Sequence, residues 1–114
     1  MVNSRRKGKR GELDLVHCLE QVCPHATFRR SQQYKGTATS ADLDTDIPGI
    51  HLEAKLREKW SIAKWMEVLD AERAPGDVGL LCVRKNYGEW LVVCRLAQLP
   101  QLVRALSGKV SDER

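Results

Sequence analysis

Glu53 and Lys55 stand one residue apart, Asp42 and Asp44 precede them, and a further carboxylate, Glu12, lies near the start of the chain. An Asp and a Glu brought together from neighbouring strands supply the hard oxygen donors that Mg²⁺ selects, with water and substrate oxygens filling its remaining positions. A divalent ion so held neutralises charge on an anionic ester and makes a bound water acidic enough to attack near neutral pH. A lysine beside the pair can orient that water or help to deprotonate it, and can stabilise the charge that develops. These residue types predict metal-assisted hydrolysis of a phosphodiester if the fold gathers them. Singly, each has a plainer explanation: Glu-x-Lys suits any half-exposed strand, and Asp42, Asp44 and Asp46 suit a turn or a sheet edge.

The elements that must do the gathering are legible in the hydrophobic pattern. Ile50, Leu52, Ala54 and Leu56 alternate with His51, Glu53 and Lys55, the period of a strand with one packed face. Pro48-Gly49 supplies a turn before it, and residues 42–46 read as the preceding strand and its end, so the two acidic segments form a hairpin. Glu53 and Lys55 then project together, and Asp42 or Asp44 projects toward them from the neighbouring strand. Asp42 and Asp44, two residues apart along the same face, are alternatives for the ligand on that strand. His51 shares that face and is expected to be a surface histidine. Residues 12–23 read as an amphipathic helix with Leu15, Cys18, Leu19, Val22 and Cys23 on its apolar side and Asp14, His17 and Gln21 opposite. Pro24 ends it. Glu12 falls within the packed sector, although a negative charge in a first helical turn also complements the helix dipole.

Ala26–Arg30 reads as a short strand, followed by a polar loop over 31–40. A helix is predicted over 62–74, with Ser61 as N-cap, the stripe Ile62, Trp65, Met66 and Leu69, and Pro75-Gly76 at its end. Strands follow at Val78–Val83 and Glu89–Arg95, and a last helix at Leu96–Leu106. The three tryptophans, Trp60, Trp65 and Trp90, are expected in the core or at an interface. The order is helix, three strands, helix, two strands, helix, an α/β chain with one central mixed sheet flanked by helices.

A chain of 114 residues has room for one domain. The division expected is a basic arm at 1–10, a single domain at 11–106 and a frayed polar tail at 107–114. The net charge of +4 is concentrated: residues 1–10 hold Arg5, Arg6, Lys7, Lys9 and Arg10 and no acid, leaving 14 basic and 15 acidic side chains elsewhere. A basic segment beside a neutral body suits a polyanion, since each cation set on a phosphate releases counterions. Arg29, Arg30 and Lys35 extend the same DNA-contacting expectation. No apolar run is long enough for a membrane span or a secretory signal, which places the chain in the cytoplasm. Cys18, Cys23, Cys82 and Cys94 are then expected reduced and buried, in preference to a zinc site built from His17, Cys18, Cys23 and His25.

The run from Asp42 through Ile47-Pro48-Gly49-Ile50-His51-Leu52-Glu53-Ala54-Lys55 resembles the PD-(D/E)XK nuclease signature. Lys7-Gly8-Lys9-Arg10-Gly11-Glu12 is similar to the opening of its Holliday-junction-resolvase-like members, small phage-encoded ones included. The resemblance covers roughly residues 5–95. It implies a restriction-endonuclease-like αβββαβ core and a Mg²⁺-dependent DNA endonuclease, with Mn²⁺ able to substitute, no organic cofactor, branched DNA as substrate and a homodimer as working form. It further implies Asp42 and Glu53 as metal ligands, Ala54 lending its backbone carbonyl, Lys55 as the catalytic lysine and Glu12 as the helix carboxylate, which by its chemistry could bind metal through water or hold a second ion. The chain departs from the pattern in having no proline before Asp42 and no glutamine near Val68–Asp70, where Lys64 or Glu67 could stand in. The alternative is a catalytically inactive DNA-binding or accessory module of the same fold.

Overall fold

The computed structural model describes residues 4–31 and 41–110, with side chains for 8–31 and 41–108. The chain is a mixed α/β protein: α1 (Ser4–Val22), β1 (Phe28–Arg30), β2 (Leu43–Thr45), β3 (Ile50–Leu56), α2 (Ile62–Glu72), β4 (Val78–Arg84), β5 (Leu91–Val93) and α3 (Leu99–Val110), the last preceded by a 3-10 turn at Leu96–Gln98. The five strands form one sheet in the order β1-β2-β3-β4-β5. All neighbours are antiparallel except β3 and β4, whose parallel pairing requires a crossover, and α2 supplies it.

Helices cover both faces. On one, Leu15 and Val16 of α1 pack with Phe28, Leu43, Leu52, Val78, Leu80 and Cys82, and α3 adds Leu102, Ala105 and Leu106. On the other, Met66 and Leu69 of α2 pack with Leu81 and Val83. Strand β4 is therefore without a polar side chain from Val78 to Val83, as a strand buried on both sides must be, with Arg84 only at its end. Strand β3 is not: Leu52 and Ala54 meet α1, while His51, Glu53 and Lys55 face the α2 side, so its alternation does carry polar groups into the protein.

Helix α1 begins at Ser4, well before the expected residue 12. Arg and Lys are good helix formers, and a segment without apolar residues gives no periodicity by which to see it. The basic arm is thus, from Ser4, the first turns of α1, with Lys9 and Arg10 exposed. The side chains of Arg5, Arg6 and Lys7 lie outside the described residues, as do Lys35 and the rest of the loop at 32–40. At the other end α3 runs to Val110, past the expected limit at Leu106. Ser61 occupies the N-cap of α2, but its hydroxyl makes no capping bond, and the helix start is held by the Trp65 N–H on the Ser61 carbonyl at 2.9 Å.

Asp14, expected on the solvent side of α1, instead ties that helix to the far strands. Its Oδ2 accepts from Arg84 Nη1 at 2.9 Å and from Trp90 Nε1 at 2.7 Å, and the Arg84 guanidinium lies 5.5 Å from the Trp90 ring centre. Cys82 is buried, whereas Cys18, Cys23 and Cys94 are only half-buried; all four are free thiols. Among the described residues no helix is long and apolar enough to cross a membrane.

Two glycines set how closely helices approach the sheet. A Cβ on Gly11 would lie 3.3 Å from Leu56, and one on Gly79 only 1.9 Å from Leu69 Cδ2. Gly79 pairs with His51 across β3–β4, so this contact draws α2 down onto the polar face of β3. Leu69 is 1% exposed and has nowhere to move. Gly79→Ala is accordingly expected to destabilise the protein by about 1–3 kcal/mol in urea unfolding; an unchanged midpoint would mean that the helix shifts freely and is not seated by this contact.

Candidate functional site

The register of the β2–β3 pair, Leu43 opposite Leu52, brings Asp42 opposite Glu53, and the Asp42 N–H donates to the Leu52 carbonyl at 2.9 Å. Asp42 Oδ2 then accepts from the Ala54 N–H at 2.9 Å, so its carboxylate is pinned along β3. Glu53, its side chain 12% exposed, has Oε1 2.9 Å from His51 Nε2. Its pKa is pushed up to about 7: burial is the main cause, the hydrogen bond from His51 opposes it, and a hydrogen bond to the Asp42 carboxyl together with the charge of Asp42 adds to it. Asp42 and Glu53 are a carboxyl pair, and a proton or a cation relieves their repulsion.

Glu12 enters from α1. Arg30 Nε donates to its Oε1 at 2.8 Å, so the packed-side acid does have a partner. Burial raises the Glu12 pKa, the Arg30 hydrogen bond opposes this, and the charge of Asp42 raises it further, which couples Glu12 to the pair. Glu12, Asp42, Ala54, Lys55, Arg57 and Trp90 line a cleft of about 180 Å³, with Gly8 and Gly11 of α1 along its side. Glu53 is not among the lining residues; it connects to the cleft through Asp42. The Lys55 ammonium lies 5.6 Å from the Trp65 ring centre, a cation–π contact to α2. Trp90 is fixed in the cleft wall by Asp14.

The structure thus brings Glu12, Asp42, Glu53, Ala54 and Lys55 together and leaves Asp44 apart. Asp44 pairs across β1–β2 with Arg29, at 3.6 Å, and lines a different depression with Thr27 and Thr45. Arg29 is 81% exposed despite this contact, whereas Arg30 is committed at Nε to Glu12. His51, expected at the surface, is buried, at 4% exposure. The polar residue that α2 brings to the site is neither Lys64 nor Glu67 but Glu72 in its last turn. One ligand atom each from His51, Glu53 and Glu72 lies within 4.8 Å of the others, and these three residues could hold a metal ion. The alternation of β3 already put His51 beside Glu53; nothing in the sequence fixed how α2 would be set against that strand, and so Glu72 was not foreseen. Cys82, opposite Ala54, is kept from ionising by burial and by the Asp42 and Glu53 charges, its pKa pushed up to about 12.

No family model matches this chain, and no similar curated protein or solved structure was found.

The raised pKa of Glu53 has a consequence for stability. The folded state prefers the protonated acid, so in metal-free buffer the stabilisation is complete below about 4.5, the ordinary value, and is lost as pH rises through about 7. Glu53→Gln keeps a neutral group there at all pH values and should show a shallower decline between pH 5 and 8, the two proteins diverging by roughly 3 kcal/mol. Glu12 contributes a slope of the same sign to both. Urea unfolding at the two pH values measures the difference, and parallel slopes would mean that Glu53 does not titrate in this window.

Proposed function

We propose that the protein is a metal-dependent DNA endonuclease of the PD-(D/E)XK type, with the restriction-endonuclease-like core that the element order αβββαβ suggests. The observation that carries this reading is the Asp42–Glu53 carboxyl pair, set across two strands, with Lys55 two residues beyond Glu53 and Glu12 entering the same cleft from α1. A lone Glu-x-Lys on a strand is common; a buried acid pair that resists full ionisation, beside a lysine-lined cleft, is the arrangement a divalent cation relieves.

Asp42, Glu53 and the Ala54 carbonyl would hold Mg²⁺, or Mn²⁺ in its place. When bound, the ion supplies charge neutralisation at the phosphate and a more acidic water. The Ala54 N–H keeps the Asp42 carboxylate in place, so the donor set is oriented before substrate arrives. Lys55 lines the cleft and can bring its ammonium to the attacking water or to a phosphate oxygen, moving away from Trp65. Glu12, steadied by Arg30, adds a carboxylate that can accept from a water in the cleft. Arg57 in the cleft wall and the exposed Lys9, Arg10 and Arg29 would contact backbone phosphates, which position DNA without reading its sequence. Preference for branched DNA and a homodimer presenting two clefts to it belong to the same proposal.

The test is cleavage of labelled four-way junction, flap, nicked and linear duplex DNA with and without Mg²⁺. Wild type should cut, junctions first. Asp42→Asn, Glu53→Ala and Lys55→Ala should each reduce the rate about 100-fold or more while DNA binding persists. Junction binding without cleavage under Mg²⁺ or Mn²⁺ would instead favour a catalytically inactive DNA-binding module.

A further inference from the structure

We propose that His51, Glu53 and Glu72 form a cation site of their own between β3 and α2, distinct from the cleft and taking a divalent ion that accepts an imidazole nitrogen beside carboxylates, Zn²⁺ or Mn²⁺, in preference to Mg²⁺. This site does not depend on nuclease activity, although it shares Glu53 with the proposed catalytic pair.

The spacing is that of ligands around one ion. Donors at about 2.0–2.2 Å from a metal stand roughly 3 Å from their neighbours in the coordination shell. His51 Nε2 and Glu53 Oε1 are already 2.9 Å apart, and a Glu72 oxygen lies within 4.8 Å of both groups. Glu72 is half-buried in the last turn of α2, the helix that covers the polar face of β3.

Charge gives a second, independent reason. Among the described residues, neither Glu53 nor Glu72 has an ion pair with a lysine or arginine. The cation nearest in sequence to Glu72, Arg73, is engaged elsewhere, donating from Nε to Asp70 at 2.9 Å and from Nη1 to the Asp77 carbonyl at 2.7 Å. Arg95 also goes to Asp70, at 2.8 Å, and Lys55 lies over Trp65. Two carboxylates, one of them 12% exposed, therefore meet an imidazole that is 4% exposed with no side-chain cation assigned to them. A bound cation would compensate the burial of the Glu53 carboxylate beyond what the His51 hydrogen bond supplies.

The donor types select the ion. One imidazole nitrogen and two carboxylates suit Mn²⁺ or Zn²⁺, whereas Mg²⁺ takes oxygen donors and keeps its waters. An ion here would lock α2 onto β3 above the Gly79–Leu69 contact and hold the Glu53 carboxylate in place beside Asp42, acting on the catalytic pair by position.

The test uses the full chain, freed of metal by chelation and titrated with Mn²⁺, Zn²⁺ and Mg²⁺ by calorimetry, with pulsed electron paramagnetic resonance of bound Mn²⁺. The expected result is one Mn²⁺ or Zn²⁺ that binds more tightly than Mg²⁺, survives Asp42→Asn, and is weakened about tenfold or more by His51→Gln or Glu72→Gln. Bound Mn²⁺ should show coupling to a nitrogen nucleus that His51→Gln abolishes. Absence of nitrogen coupling in the wild type, or an affinity that Glu72→Gln leaves unchanged, overturns the site and returns His51 to the role of a hydrogen-bonded core histidine. The wild-type spectrum decides even if a variant fails to fold. Failure to cleave any DNA would overturn the nuclease reading and leave this result untouched.

Discussion

The structure depends on holding two carboxyl groups side by side across a strand pair. Asp42 and Glu53 face each other because Leu43 pairs with Leu52, and a slip of one residue in that register would send Glu53 to the apolar face and Leu52 to the polar one. The turn at Pro48-Gly49 guards the register: Gly49 sits at φ +76°, a conformation that other residues adopt only with strain. The Val78 N–H donates to the Gly49 carbonyl at 2.8 Å, so the turn is also tied to the start of β4. What would otherwise be an unfavourable pair of like charges is offset by the Ala54 N–H on one partner and the His51 imidazole on the other. Each of these donors lies on β3 itself, so the strand that creates the repulsion also supplies the groups that temper it.

Around this pair the two helices have different tasks. Helix α1 comes close because Gly11 has no side chain at its contact with Leu56, and that approach admits Glu12 to the cleft. Helix α2 comes close because of Gly79, and that approach buries the polar face of β3 instead of leaving it in solvent. The consequence is chemical as much as structural. A solvated Glu53 would have an ordinary carboxylate pKa, but covered by α2 and beside Asp42 it is held to about 7. The packing contact between Leu69 and Gly79, on the neighbouring strand, thus contributes to the burial that raises this pKa.

The order of helices and strands along the chain was largely legible in the sequence because periodicity reports which side of an element is packed. The alternation through residues 50–56 located β3 to the residue, and the stripe through Ile62, Met66 and Leu69 located α2. The same signal misled where polar groups enter the protein. His51 and Asp14 read as solvent-facing because periodicity equates polar with exposed; in the fold His51 is covered by α2, and Asp14 is drawn to Arg84 and Trp90. The basic start of α1 was invisible for the opposite reason, since a helix needs no apolar stripe where it does not pack. The ambiguity between Asp42 and Asp44 could not be resolved from strand parity, which treats them alike. The cross-strand partners distinguish them: Glu53 and Ala54 for Asp42, Arg29 for Asp44. Glu72 depended on the angle between a helix and a strand, a tertiary quantity with no local sequence signal.

The distribution of charge around the cleft bears on what can enter it. Its acidic groups are few and recessed, and Glu12 is partly neutralised by Arg30. The cations, by contrast, lie outward: Lys55 and Arg57 in the wall, and Lys9 and Arg10 exposed on the α1 turns that border it. Cations and carboxylates share the cleft wall, so an anion is favoured there only where a cation offsets the charge of Asp42 and Glu12. Burial and the charge of Asp42 raise the Glu53 pKa to about 7, so a proton and a cation would compete for the same carboxyl oxygens. Under the proposed function, a cation and an anionic phosphate would each offset the opposition that the other meets from these groups.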